Sequence, residues 1–200
     1  ISLPIVAIIY VIFLKRKSWY FLSAVILISV SLIGNYIYPY FDEAQNDLVP
    51  MEEGELKSKI IDLSKEAGIE NLDIKVIPKS GETNSMNAYM TGINNSRRIV
   101  FWDTTLNGLS EKEVLSVAAH EMGHYKLNHI QKSTIISSLL TLMTLMLVHN
   151  LMRRFSTKDY RKIEKVPYIL FILNVIGLLF SPIETAYSRK MEVEADTFAM

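Results

Sequence analysis

His120-Glu121-Met122-Gly123-His124 is the stretch whose residue types and spacing can assemble a reaction centre. On a helix, at about 100° per residue, His120 and His124 stack one turn apart on the same face and can share a metal ion. Glu121 projects roughly 100° round the helix. There it reaches a water on that ion without being forced to ligate. This is the metal-plus-general-base layout of zinc hydrolases.

The layout requires a helix, and the flanks supply one. Ser110-x-x-Glu113 is a capping box that predicts a helix start at Glu111. No proline follows until Pro167, and the only glycine in between is Gly123. The pattern therefore predicts one long helix from Glu111 through the motif and onward.

Catalytic zinc wants three protein ligands, and the motif provides two. The chain has no cysteine, so the third must be His or carboxylate. His129 lies nine residues past His120, about 180° round a continuous helix, and reads as a hydrogen-bonding or interfacial residue. It also falls one residue short of the HExxHxxGxxH spacing. His149 lies in an apolar run and reads as a satisfied polar residue. Glu192-Val193-Glu194-Ala195-Asp196 fits the glutamate-zincin pattern: a ligand Glu192, then Asp196 four residues on to orient a zinc-bound histidine. Glu194 points almost the other way. An exposed acidic helix face would read the same. Two apolar runs separate the motif from this segment, so the chain returns to the same side, which favours a shared site.

Those runs set the class. Half of the residues are hydrophobic, and the apolar ones are bunched into uncharged stretches at 18–41, 133–152 and 166–183, each on the order of 20 residues and long enough to cross a bilayer. Residues 1–14 form a fourth uncharged run. The formal net charge is zero, so no basic excess points to nucleic acid. The chain begins at Ile1 and stops at Met200 within a helical pattern, and it reads as a fragment of a longer protein.

The expected fold is mainly α: a multi-span membrane helical bundle with a small α+β soluble cap whose short sheet lies beside the HExxH helix. In order, residues 1–38 read as two membrane helices joined at Lys15-Arg16-Lys17, with Pro39 and Asp42-Glu43 taking the chain into water. Residues 39–132 read as the soluble catalytic part. It has a helix from Glu55 to Ala67 stopped by Gly68, and strands at Asp73–Ile77, 86–90 and 97–102 around a turn at Ile93-Asn94-Asn95-Ser96. Residues 133–152 are a membrane helix, 153–165 a basic loop, 166–183 a further membrane helix that Pro182 should kink, and 184–200 the helix carrying the third ligand. The sheet either offers an edge to an extended peptide or merely covers the motif helix.

The chain resembles the integral-membrane zinc metalloproteases typified by the type I CAAX prenyl protease, with HtpX as a bacterial relative. The matching residues are Ala118-Ala119-His120-Glu121-Met122-Gly123-His124-Tyr125 with His129, and Ser188-Arg189 leading into Glu192-Val193-Glu194-Ala195-Asp196-Thr197-Phe198-Ala199. Asn87-Ala88-Tyr89 with Gly92, Arg98-Ile99-Val100-Phe101 and Asp103-Thr104 also match. Tyr125 stands where the family often has tryptophan. The resemblance implies one zinc ion per chain on His120, His124 and Glu192, with Glu121 as base and Asp196 as support. It also implies a substrate-pairing edge strand at Asn87, Ala88 and Tyr89. The substrate is a peptide or protein, either prenylated at its C-terminus or another membrane-associated peptide. The rival classes are a non-catalytic membrane scaffold, which predicts no stoichiometric zinc, and a metal sensor or carrier, which would need ligands inside the spans. Basic loops at 15–17 and 153–165 oppose an acidic segment at 39–132. The positive-inside rule then places the catalytic side outside the cytoplasm, whereas the resemblance places it inside.

Overall fold

In the computed structural model, residues 2–92, 97–155 and 162–200 are described. The turn expected at Ile93-Asn94-Asn95-Ser96 and residues 156–161 of the basic loop lie outside them. The chain is mainly helical with one small sheet, as expected, and forms two compact units.

The first unit comprises 1–32 and 132–187. It is built from α1 (Ser2–Lys15), the N-terminal part of α2 (Trp19–Gln45), and most of α6 (His129–Phe155) and α7 (Val166–Phe198). Its interior is a narrow seam of Phe13, Trp19, Ala24, Leu145, Val148, Met152, Ile169 and Ile176. Outside that seam, Phe21, Leu139, Phe171 and Leu178 are exposed. So much bare apolar surface is stable only against lipid. Among the described residues α2, α6 and α7 are long and apolar enough to span a membrane. α1, the first of the expected helices, has 14 residues and is a shorter apolar helix. His149, inside α6, stacks on Tyr20 with ring centroids 4.3 Å apart.

The second unit comprises 33–131 and 188–200. It contains β1 (Val49–Pro50), α3 (Glu55–Glu66), β2 (Asp73–Ile77), β3 (Ala88–Thr91), β4 (Arg98–Trp102), α4 (Asp103–Gly108) and α5 (Glu111–Lys126). The strands are ordered β1-β2-β4-β3. β2 pairs parallel to β4, and β3 pairs antiparallel to β4, with Ala88 opposite Phe101 and Met90 opposite Ile99. After Arg98, β4 is apolar from Ile99 to Trp102, as suits an interior, buried strand. Gly68 ends the turn after α3 at φ +67, a conformation that suits glycine. β1 and α4 were not foreseen.

α5 forms for the reasons its sequence suggests. The Glu113 carboxylate accepts the Ser110 N–H at 2.7 Å and the Ser110 hydroxyl at 2.6 Å, closing the N-terminus. Val114, Ala118 and Met122, each one turn apart, are fully buried in the core with Ile60, Ile99 and Phe101. Burying Val114 and Met122 stabilises this packing by roughly 1.5–3 kcal/mol each. That stripe faces roughly 160° from His120, so the face that anchors α5 leaves the motif histidines free.

Two helix boundaries differ from expectation. α5 does not run on into the next span. It ends at Lys126, and Asn128 takes φ +57 before α6 begins at His129. Asparagine tolerates this left-handed geometry, and no sequence period reports it. Conversely, α2 does not end at Pro39 but continues through it to Gln45. The last turn is held from outside: the buried Asp42 accepts the Tyr89 hydroxyl at 2.5 Å and the Asn46 amide at 3.0 Å, and Glu43 pairs with Arg98 at 3.1 Å. These contacts offset the hydrogen bond that proline cannot make.

Candidate metal centre

Every residue singled out for chemistry belongs to the second unit. α5 contributes His120, Glu121 and His124, and the end of α7 contributes Glu192, Glu194 and Asp196. What lets the two helices meet is their small residues. A Cβ added at Gly123 would lie 3.1 Å from Phe198 Cβ and 3.2 Å from both the Cα and the carbonyl oxygen of Ala195. Ala195 is itself fully buried. The glycine in the middle of the motif is therefore a spacer that sets the interhelical distance, a role the motif pattern alone does not disclose.

At this crossing, three donor atoms converge. His120 Nε2 and His124 Nε2 are 3.0 Å apart, and Glu192 Oε2 lies 3.3 Å from the first and 3.5 Å from the second. Ligands held tetrahedrally at the 2.0–2.2 Å typical of Zn–N and Zn–O bonds stand about 3.3–3.5 Å from one another. The triangle thus fits a small tetrahedral cation with only slight adjustment. Among the described residues, His120, His124 and Glu192 are the group whose ligand atoms lie within mutual reach of one ion.

The remaining ring nitrogens are engaged. His120 Nδ1 is 2.9 Å from Asp196 Oδ1, an acceptor-only carboxylate when ionised, so Nδ1 carries the proton and Nε2 keeps its lone pair for a metal. His124 Nδ1 is 2.9 Å from His129 Nδ1, and His129 Nε2 is 3.2 Å from Glu194 Oε2. Burial lowers the pKa of His124 and favours its neutral, ligating form.

Glu121 lies beside the triangle rather than in it. Burial raises its pKa to about 7; the neighbouring Glu192 carboxylate adds to the rise, while His120 and a backbone hydrogen bond from Met90 oppose it. An open cleft with His120, Glu121 and Asp196 in its wall is also lined by Ser116, Val117 and Ala199.

β3 is an edge strand. Trp102 N–H bonds the Asn87 carbonyl at 3.0 Å, so by antiparallel alternation Tyr89 and Thr91 face β4, whereas Ala88 and Met90 turn their backbone groups to the free edge. The Asn87 backbone is used inside the unit, its N–H donating to Thr105 Oγ1 and its carbonyl accepting from the same hydroxyl, each at 2.8 Å. The Tyr89 hydroxyl is held by Asp42, and burial together with that bond raises its pKa. Of Asn87, Ala88 and Tyr89, Ala88 turns its backbone groups to the free edge; beside it the Met90 carbonyl does the same, while the Met90 N–H donates to Glu121. Asp103, matched earlier by motif, ties down the segment before β3. Its carboxylate accepts the Lys79 N–H at 2.7 Å, the Ser80 N–H at 2.9 Å and the Ser80 hydroxyl at 2.5 Å, which holds its pKa low.

The spacer role of Gly123 has a measurable consequence. Alanine there gains about 1 kcal/mol of helix propensity but overpacks against Ala195 at a cost of roughly 1–3 kcal/mol. Stability of Gly123→Ala should therefore fall by about 0–2 kcal/mol. The end of α7 must shift, opening the donor triangle, so metal affinity is expected to fall about 10-fold, a loss typical of disturbing a metal ligand's support. Isothermal titration with Zn2+ alongside thermal unfolding separates the two effects. Native affinity in a folded variant would refute the spacer role.

The sequence profile of Peptidase family M48 matches residues 50–200. The chain is 32% identical over 214 residues to an uncharacterized metalloprotease, YhfN, of Bacillus subtilis, covering 100% of this chain and 50% of that protein. It is 37% identical over 142 residues to CAAX prenyl protease 1 of Saccharomyces cerevisiae, covering 69% of this chain and 30% of that one. The crystal structure of S. mikatae Ste24p superposes with a TM-score of 0.77 at 29% identity, covering all of this chain and 52% of that chain. The chain thus spans about half or less of the length of these relatives. Together with its three spanning-length helices, these likenesses identify an integral membrane protein.

Proposed function

Since this chain belongs to Peptidase family M48, a metalloprotease family, we propose that it carries the catalytic part of a membrane zinc metalloendopeptidase of the glutamate-zincin type, HExxH followed by ExxxD. The observation that supports this most is the tetrahedral spacing of His120, His124 and Glu192 beside a glutamate with a pKa of about 7.

In this reading His120, His124 and Glu192 hold one Zn2+. When bound, zinc supplies Lewis acidity, making a water nucleophilic at neutral pH and polarising the scissile carbonyl. The chain's own groups do the rest. The Glu121 carboxylate, balanced between its two protonation states near pH 7, takes a proton from the attacking water and delivers it to the departing amine. Asp196 fixes the His120 ring so that Nε2 stays available. An extended peptide adds to the free edge of β3 through the backbone groups of Ala88 and the Met90 carbonyl, which places its scissile carbonyl next to Glu121. That neighbourhood is direct, since Met90 itself hydrogen-bonds Glu121.

For the substrate we propose a membrane-associated peptide with a prenylated C-terminus, the class carried in the names of the CAAX prenyl protease relatives. The catalytic side faces the cytoplasm, on the strength of that likeness and against the loop charges. The test is zinc content together with cleavage of one peptide in prenylated and unprenylated forms. Stoichiometric zinc and faster cleavage of the prenylated form are expected. Equal rates would reassign the enzyme to general cleavage of membrane-associated peptides, as in HtpX, and no zinc with no cleavage would leave a scaffold.

A further inference from the structure

We infer that His129 and Glu194 form a positioning relay that fixes the tautomer of the metal ligand His124. The inference rests on the ligand set proposed above and extends it to two residues outside that set.

On a continuous helix, a residue five positions after His124 would lie about 140° round the axis. Asn128 at φ +57 interrupts the helix and returns His129 over the preceding turn. Its ring then meets the His124 ring, with centroids 4.9 Å apart and planes at 78°. His129 is 3% exposed, so water does not compete for its nitrogens.

The proton positions follow from the acceptors. For His124 Nε2 to ligate, its lone pair must face the donor triangle, so the single proton of the neutral ring sits on Nδ1. The partner of that N–H, at 2.9 Å, is His129 Nδ1, which must accept. The proton of His129 is thereby placed on Nε2, which faces Glu194 Oε2 at 3.2 Å. Each nitrogen along the path has one role, and reversing any link leaves two donors or two lone pairs opposed inside a buried contact. His120 is oriented directly by a carboxylate, and His124 by a carboxylate acting through an imidazole. Both carboxylates, Asp196 and Glu194, come from the helix that supplies Glu192, so one segment sets all three ligands.

The test uses the full chain in detergent with Zn2+ as the probe, its Kd measured by competition with a chelator. His129→Phe keeps the ring volume without an acceptor, and Kd is expected to rise roughly 10- to 100-fold. His129→Gln offers a carbonyl to the same N–H and should recover most of that loss. Glu194→Leu, at a less buried position, should weaken binding in the same direction, and Glu194→Gln, which still accepts, should stay near wild type. Nitrogen-15 histidine spectra of the zinc-loaded wild type should show His124 protonated on Nδ1 and His129 on Nε2, a signature that mere space-filling would not produce. If His129→Phe fails to fold, the Glu194 pair and the spectra still decide. A zinc-loaded wild type with His129 protonated on Nδ1, or with affinity unchanged in Glu194→Leu, overturns this inference alone. A wild type that takes up no Zn2+ overturns the ligand set and this inference with it.

Discussion

Replacing Glu121 by glutamine is expected to lower peptide turnover by roughly 10²- to 10⁴-fold, the usual worth of a positioned general base, while zinc content stays at the wild-type level. Glutamine preserves shape and removes only the proton-accepting oxygen. Glu121 stands outside the donor triangle, so metal loss is not part of the expected result. Rate assays with metal analysis check both halves, and full activity in a zinc-loaded variant would exclude Glu121 as the base.

The same substitution has a second readout that needs no substrate. Burial lifts the Glu121 pKa from its ordinary 4.5 to about 7 in the folded, metal-free chain. A raised carboxylate pKa means that the folded state holds its proton after the unfolded state has released it. Stability is therefore lost as pH rises from about 4.5 to about 7, an effect on the order of 3 kcal/mol. In chelator at pH 8, Glu121→Gln should unfold at a higher temperature than wild type. The two should converge as pH falls towards 4.5. On the proposed role of Glu121, the group that serves the reaction weakens its own fold, a trade between activity and stability.

The second large effect is expected at Glu192. Dividing the roughly 10–16 kcal/mol of a four-ligand zinc site among its ligands assigns about 2.5–4 kcal/mol to one of them, or about two to three decades in Kd. Glu192→Ala should therefore lose zinc on desalting. Asp196→Ala, which removes only the partner of His120, should weaken binding by about 10- to 100-fold and retain metal under saturating conditions. Elemental analysis and chelator competition distinguish the two. Equal losses would erase the distinction between ligand and support.

How much of this was written in the sequence differs from residue to residue. The helix that bears the motif was legible because its signals are local: the Ser110 and Glu113 cap and a following stretch free of proline until Pro167. Glu192 and Asp196 could be paired with the motif because four residues make one helical turn wherever the helix lies. The break at Asn128 and the passage of α2 through Pro39 were not legible, since each depends on contacts with distant chain. His129 shows the consequence most plainly. A periodic argument on an unbroken helix sends it to the far side of His120, whereas one left-handed residue brings it against His124. The spacer role of Gly123 was hidden likewise, because it concerns what Ala195 and Phe198 do across the crossing.

The order of the donors along the chain has a consequence for biogenesis. His120 and His124 precede α6, whereas Glu192 comes near the end of α7. A ribosome making this protein therefore completes the base and two ligands first, and must thread two further spanning helices before the third ligand exists. On the proposed ligand set, a half-synthesised chain cannot hold its ion firmly and cannot cut its neighbours. On that ligand set, hydrolytic competence cannot arise before the segment bearing Glu192 has been made.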